Sequence, residues 1–547
     1  MDMWHSMLTL EGVTLETGRG IEELTGLNML KGELSIYNLE HVRDGEEAKK
    51  AKLVEKTNIR QLNFAWSRIT NHEEVIEGFQ PHPSKLEALR FYNFMGNKWP
   101  SWIMSSLFPT LKRLSISNAR NLTEWPESGI VVFPCLETLH LWNCDKLRSA
   151  PSNFPSLKEL EMDSMGSGMP IANISNNLTT LTSLTIKSIR GLAYLPEGRL
   201  KNNKNLAHLK IQDCQELSRI APDVVGSCVF LESVHISKCP ILAYLPDGLL
   251  TTSLNNLSSL RKLSIFGCNR SPEYVPSFLG FTCLRELRIE DSPGLTSLPI
   301  GLESCSSLEV LIISKLSNVE SIPSLENLTN LHELRIFSCD GLKSLPSGLA
   351  ITSCLMDLKI LKIGGFWKEL DSFPAFQVTS QLETLLLWGW PKLKSLPKQI
   401  QHLTSLTRLN VQCFDGMEAF PEWLRNLTSL ECLDIHSCKN MMYLPTLETM
   451  QRLTILKRIH ILLCPLLKER CNKKSGSEWL KISHIPYIEG VKAGVAAGMP
   501  VVAFVIEETL RTQNCGKHWK RLRGRQSNNS CNSGICNPIL CSLQQDG

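Results

Sequence analysis

The sequence predicts an α/β repeat protein, a solenoid or horseshoe with a parallel sheet on its concave face and irregular or short helical segments on its convex side. Three observations predict it. The first is composition: 86 of the 547 residues are leucine, whereas 20% are charged and 7% aromatic. The second is spacing. The chain reads LAHLKIQDCQELSRIAP from Leu206, LHELRIFSCDGLKSLP from Leu331 and LECLDIHSCKNMMYLP from Leu430. First leucines of this frame fall at 86, 111, 136, 157, 181, 206, 231, 260, 284, 308, 331, 358, 382, 406, 430 and 456, most of them 23 to 25 apart. The third is alternation: Leu334 and Ile336 are interleaved with Glu333, Arg335 and Phe337, the period of a strand with one buried face.

Each part of the frame has a physical role. The alternating leucines point into the coil and their neighbours point out. Cys339 follows at the turn, where a thiol is buried as a small apolar group. Leu342 and Leu345 fill the interior from the returning side, and Pro346 ends the extended geometry. A single coil leaves both apolar edges open, so only stacking makes a continuous core. Period and frame are those of leucine-rich repeats.

In chain order, residues 1–30 form a lead-in and residues 31–85 irregular first coils. Leu34 and Ile36 suggest a strand, Asp44 an N-cap for a charged helix through about Lys56, and Ile59, Leu62, Phe64 and Trp66 a second strand. As the first coil of the stack, this segment is expected to present Leu34, Ile36 and Leu39 to solvent. About sixteen regular coils occupy 86–465, the last formed by Leu456, Ile459, Ile461 and Cys464. A polar cap follows over 466–488, then a helix–strand fragment over 489–510 and a disordered, basic, cysteine-containing tail over 511–547.

Composition excludes several function classes. With 58 basic and 54 acidic residues the net charge is +4, no general reason to expect nucleic acid. The longest uncharged apolar run, Ala493 to Ile506, is 14 residues and is broken by Gly494, Gly498 and Pro500, so no membrane span is expected. MDMWHSMLTLEGV lacks the charged and apolar regions of a secretory signal. Nineteen scattered cysteines, an odd number, fit a reducing, cytoplasmic setting. The N-L-T sequons at Asn121, Asn327 and Asn426 recur because the triplet belongs to the repeat.

Catalytic patterns fail on spacing. Gly18-Arg19-Gly20 is followed by Glu23 where a dinucleotide fingerprint needs glycine. His72-Glu73-Glu74 lacks the second histidine of a zinc protease, and Gly166-Ser167-Gly168 lacks the spacing of a nucleophile elbow. No enzyme, cofactor or metal site is expected from these residues.

Three segments carry a family resemblance: GELSIYNLEHVRDGEEAKKAKLVEKTNIRQLNFAW from Gly32, NLTSLECLDIHSCKNMMYLP from Asn426, and CPLLKERCNKKSGSEWLKISHIPYI from Cys464. Together they resemble the leucine-rich-repeat region of plant intracellular resistance proteins of the coiled-coil, nucleotide-binding class, over about residues 15–488. The resemblance implies a protein-recognition and regulatory module in defence signalling. Its expected partner is a pathogen effector or host protein, or a nucleotide-binding (NB-ARC-type) switch domain supplied by another chain. The G-x-x-x-x-G-K-[ST] phosphate loop of that switch is absent from this sequence, so nucleotide binding is assigned to no residue here. A truncated gene product is the accompanying expectation, inert if it lacks a signalling partner.

EGVKAGVAAGMPVVAF, from Glu489 to Phe504, is similar to a helix–strand segment of haloacid-dehalogenase-like phosphatases, but the nucleophile-bearing segment with its paired aspartates is missing. A phosphatase-like fusion is thus the lesser alternative. In the tail, KHWKRLRGR from Lys517 is basic, and Cys515, Cys531, Cys536 and Cys541 offer four thiols without the spacing of a zinc site.

With no catalytic constellation, function falls to the outward positions of the concave strands. These include His140, Trp142, Arg288, Glu290, Arg335, Phe337, Trp388, Arg408, His436, Arg458 and His460. Aromatic groups beside arginines are the composition of interface hot spots. Glu286, Glu290 and Glu333 interrupt the positive charges, so the groove is not basic.

Overall fold

A computed structural model describes residues 13–14, 21–27, 29–67, 73–105, 107–127, 132–174, 178–195, 203–220, 228–242, 259–268, 278, 281–298, 300–347, 349, 355–373 and 380–490. The chain divides into two units, Met1–Val491 and Lys492–Gly547, and every described residue belongs to the first. The helix–strand fragment expected beyond Gly490, the basic tail with its four cysteines, Gly18 to Gly20 and His72 lie outside the described residues.

The first unit is a leucine-rich-repeat solenoid whose described residues form one twenty-stranded sheet in which every neighbouring pair is parallel. Each of the sixteen frame leucines is followed two residues later by a five-residue strand, from Ala88–Tyr92 to Arg458–Leu462. These strands pair residue for residue: Leu334 lies beside Leu311 and Leu361, Ile336 beside Ile313 and Ile363. Because side chains alternate across a strand, this register keeps one face apolar throughout. Leu331, Leu334, Ile336, Cys339 and Leu342 are at most 1% exposed. Each buried leucine contributes about 1.5–3 kcal/mol, but only when neighbouring coils cover its edges.

The turn leaving each strand is made by one residue in the left-handed region. Asn93, Asn118, Asp213, Ser338, Cys413 and Leu463 all occupy it, with φ of 55° to 60°, and glycine does so at Gly267, Gly365 and Gly389. Asparagine, aspartate, serine and glycine dominate because they tolerate this conformation. The amide of the turn residue continues the ladder, as in Asn93 N–H to Ser117 O at 2.8 Å and Ser338 N–H to Gly364 O at 3.0 Å. Side chains add to it where asparagines stack: Asn118 Nδ2 donates to Asn93 Oδ1 at 2.8 Å.

The interior position of Cys339 is a matter of size. Cys144, Cys214, Cys239, Cys438 and Cys464 occupy it in other coils, but Phe366, Trp390 and Phe414 fill it in three successive ones. There Trp390 meets Phe366 and Phe414 edge-on at 5.6 and 6.1 Å. A larger aromatic stack, including Phe64 on Phe91 at 5.6 Å and Trp99 on Trp125 at 5.1 Å, fills the first coils.

Three expectations are corrected. Asp44 does cap a helix, accepting from Glu47 N–H at 2.8 Å, but the helix is Gly45–Lys49. Lys52, left-handed at φ 50°, breaks it, and a separate 3-10 turn, Leu53–Glu55, returns Leu53 to the core. Leu34, Ile36 and Leu39 are buried rather than exposed, because the helix Ile21–Thr25 contributes Ile21 and Leu24 to the same core and the strand Val13–Thr14 pairs with Ile36 and Tyr37. Finally, the sheet does not end at Leu462. The cap contributes one more strand, Tyr487–Glu489, aligned on Arg458–His460. Within the cap Glu478 is buried, accepting from Leu444 N–H at 2.9 Å and from Lys481 Nζ at 2.6 Å.

Candidate functional site

The first, third and fifth positions of each of the sixteen five-residue strands share the outer face of the sheet, so each becomes a row running from coil to coil. His140, Arg288, Arg335 and His460 belong to the third-position row, Trp142, Glu290, Phe337, Trp388 and His436 to the fifth, and Arg408 and Arg458 to the first. All eleven sequence-predicted residues therefore lie on one face, but their availability differs.

Trp142 is 49% exposed and is the most open of the aromatic ones. Two residues of its row were missed in the sequence reading: Tyr37 and Tyr92, 44% and 39% exposed. Register places Tyr37, Ala65, Tyr92, Ser117 and Trp142 on successive strands. At about 4.8 Å per strand the three aromatics recur roughly every 10 Å. The offset that found Trp142, applied to the earlier coils, finds both tyrosines.

The central arginines are already partnered. Arg288 Nε lies 2.5 Å from Glu286 Oε1, and Lys262 Nζ lies 3.4 Å from Glu286 Oε2. Burial works against the charge on Glu286, but Arg288 and Lys262 prevail and hold its carboxyl below the usual range. Arg335 is clamped by Glu333 and is buried, with only 8% exposure, instead of standing free on the face. Between these two arginines Ile312 occupies the same row and is buried as well. Glu290 accepts from Ser314 Oγ at 3.0 Å, and His140 stands between Glu159 and Glu161 at 3.9 and 3.8 Å. Phe337 is half-buried.

Trp388 is positioned by two glycines. Gly364 and Gly365 have φ of +145° and +69°, and a β-carbon on Gly365 would lie 2.4 Å from the Trp388 ring. The indole Nε1 donates to Cys413 Sγ at 3.2 Å. His235, in the third-position row between Lys210 and Ser264, is held below its ordinary pKa by burial and by the positive charges of Lys210 and Arg288.

At the carboxy-terminal end the face becomes a polar cluster. Asp434, a third residue missed from sequence, is 5% exposed and sits at its centre. His460 Nδ1 lies 2.6 Å from Asp434 Oδ1, Cys432 Sγ donates to the same oxygen at 3.3 Å, and Asn410 Nδ2 approaches Oδ2 at 3.5 Å. Arg408 Nε is 4.0 Å from Oδ2. His436 is buried at the end of the strand that carries Cys432 and Asp434, while Arg458 is exposed. The thiol is aimed at the carboxylate, and the far nitrogen of His460 faces Glu489 at 3.7 Å. This differs from a thiol–imidazole pair, in which the base must reach the nucleophile's proton. Cys432, Asp434 and His460 have the donor atoms of a metal site, all within 4.8 Å of one another.

Comparison with known proteins agrees with this architecture. Residues 21–144 and 398–461 match the family described as R13L1/DRL21 LRRs. Disease resistance protein RGA2 of Solanum bulbocastanum is 32% identical over 245 residues, covering 37% of this chain and 25% of that protein. Putative disease resistance RPP13-like protein 1 of Arabidopsis thaliana is 27% identical, covering 52% of this chain and 29% of that protein. The chain thus spans between a quarter and a third of these relatives' lengths. Among solved structures, the glycosylated Drosophila Toll–Spatzle complex aligns over 90% of this chain and 69% of that one, with a TM-score of 0.53 and 15% identity, a likeness of fold.

Proposed function

We propose that this leucine-rich-repeat region, similar to those of plant disease resistance proteins, is the protein-recognition and regulatory module of an intracellular immune receptor. The observation that carries the reading is the continuous, in-register outer face, with Tyr37, Tyr92 and Trp142 exposed along one row. Exposed aromatics on a rigid sheet lose little side-chain freedom on binding and desolvate a large area, as protein interfaces require. Trp142 and the tyrosines would anchor a partner, with Arg288, Arg408, Arg458 and the half-buried Phe337 and Trp388 further along the same face. The paired arginines would set orientation more than affinity, since their carboxylates already neutralise them.

The partner would be a pathogen protein, a host protein, or a nucleotide-binding switch domain on a separate chain. A non-catalytic role fits the recognition fold. Cytoplasmic placement is supported by fourteen described cysteines that are all free thiols, most of them buried. Among the described residues no helix is long and apolar enough to cross a membrane.

The test is co-precipitation in leaf tissue of the tagged chain with separately expressed switch domains of resistance proteins and with pathogen proteins. A chain carrying Trp142→Ala, Arg288→Glu and Arg408→Glu should lose an association that the unaltered chain makes. A chain carrying Lys394→Glu, on the returning side of a coil, should retain it. Equal retention by both would remove the outer face from the account.

A further inference from the structure

We propose that the outer face carries a zinc site at its carboxy-terminal end, with Cys432 Sγ, Asp434 Oδ1 and His460 Nδ1 as ligands. Cys432 and Asp434 occupy the first and third positions of one strand, so both side chains emerge on the same face. His460 is the register partner of Asp434 on the next strand. The sheet therefore fixes the three donors without any loop.

The distances suit the metal. Sγ and Nδ1 lie 3.3 and 2.6 Å from Asp434 Oδ1, and all three atoms fall within 4.8 Å of one another. Zinc bonds of about 2.3 Å to sulfur and about 2.0–2.1 Å to nitrogen and oxygen give tetrahedral edges of about 3.3–3.6 Å. The imidazole and carboxylate need separate by less than about 1 Å. A thiolate, an imidazole and a carboxylate select zinc over magnesium or calcium, which take oxygen ligands.

The surroundings supply a second, independent observation. A ligating imidazole is normally held from behind by a carboxylate, and His460 Nε2 faces Glu489 Oε2 at 3.7 Å. The outer oxygen of Asp434 is approached by Asn410 Nδ2 at 3.5 Å, and Asn410 Oδ1 in turn accepts from Gln412 Nε2 at 3.0 Å. Binding replaces one proton: the Cys432 thiol proton passes to solvent, and His460 binds through Nδ1 as a neutral imidazole whose single proton sits on Nε2, facing Glu489. Three protein ligands leave a fourth position for water. The ion would tie the strands Cys432–His436 and Arg458–Leu462 together where the cap begins.

The experiment is a cobalt(II) titration of the full chain after chelator treatment, followed by absorption, with zinc(II) added last. The expected result is a thiolate-to-cobalt charge-transfer band saturating with one equivalent and abolished by zinc. Cys432→Ser should remove that equivalent. His460→Gln, at a partly exposed position that tolerates change, should weaken binding at least about tenfold, and Cys339→Ser should leave it unaltered. Circular dichroism establishes that each variant is folded. The proposal is overturned if no band forms, or if the band is as strong in folded Cys432→Ser and His460→Gln as in the unaltered chain, which would place the metal on the tail cysteines.

Discussion

Replacing Gly364 with alanine should destabilise two neighbouring coils far more than a glycine replacement elsewhere. Gly364 has φ of +145°, and a β-carbon there would lie 1.9 Å from Trp388 O, 2.6 Å from Trp388 C and 2.7 Å from Trp388 N. These are backbone atoms of the next strand and cannot swing aside. A non-glycine residue in such a conformation costs about 1–3 kcal/mol. Relieving the contact means displacing the end of the strand Ile360–Gly364 between its two neighbours, which strains the Gly365 N–H to Trp388 O bond on one side and the Ser338 N–H to Gly364 O bond on the other, 2.7 and 3.0 Å long. At about 1 kcal/mol per bond, the total is about 3–5 kcal/mol. Gly191→Ala is the control: its φ is +65° but nothing lies within 4 Å of the new carbon, so about 1–2 kcal/mol is expected. Repeat arrays unfold in parts, so a single midpoint is a poor measure. Hydrogen exchange should instead show amides of those two strands exchanging at least about 100-fold faster in Gly364→Ala, with distant coils unchanged. Equal effects of the two substitutions would refute the close-approach argument and, with it, the account of how Trp388 is placed.

Leu463 is the counterpart of this argument, a bulky residue at φ +55° and 60% exposed, where other coils place asparagine, serine or glycine. Leu463→Asn should stabilise the chain by about 0.5–1 kcal/mol, read as a raised denaturant midpoint of the carboxy-terminal coils. His235 predicts a pH dependence. Its folded pKa is depressed by burial, Lys210 and Arg288, so on acidification the unfolded chain takes up a proton that the folded chain refuses. Stability should therefore decline as pH falls through about 6.5 and below, and His235→Gln should flatten that decline in thermal melts between about pH 7 and pH 5. In the cap, Glu478→Ala removes the acceptor of Leu444 N–H and Lys481 Nζ. A loss of about 2–4 kcal/mol is expected, seen as faster exchange of the cap and little change in the first coils.

The periodic part of this architecture was legible because stacking forces each coil to repeat the same choices. Leu331, Leu334 and Ile336 announce a strand, and the strand is Glu333–Phe337. Outward direction was legible for the same reason, but exposure was not. Arg335 points outward in sequence and is buried in the fold because Glu333, two residues earlier on the same face, clamps it. The irregular segments depended on contacts that no periodicity encodes. The helix after Asp44 ends at Lys49 because Leu53 must return to the core, and Tyr487–Glu489, at the end of the cap, joins the sheet through backbone pairing, which hydropathy does not register. Asp434 and His460 are 26 positions apart, and only the register of parallel strands reveals that they touch.

The central claim is that recognition runs along the outer face of the sheet. Its most direct test is site-specific photo-crosslinking in plant cells, with a benzophenone amino acid placed singly at Trp142, Phe337 or Trp388 on that face, and at Leu107 or Lys394 away from it. The account predicts that one discrete partner is captured from the outer-face positions, Trp142 most strongly, and not from Leu107 or Lys394. Capture of that partner from Leu107 or Lys394 with none from the three outer-face positions would contradict it.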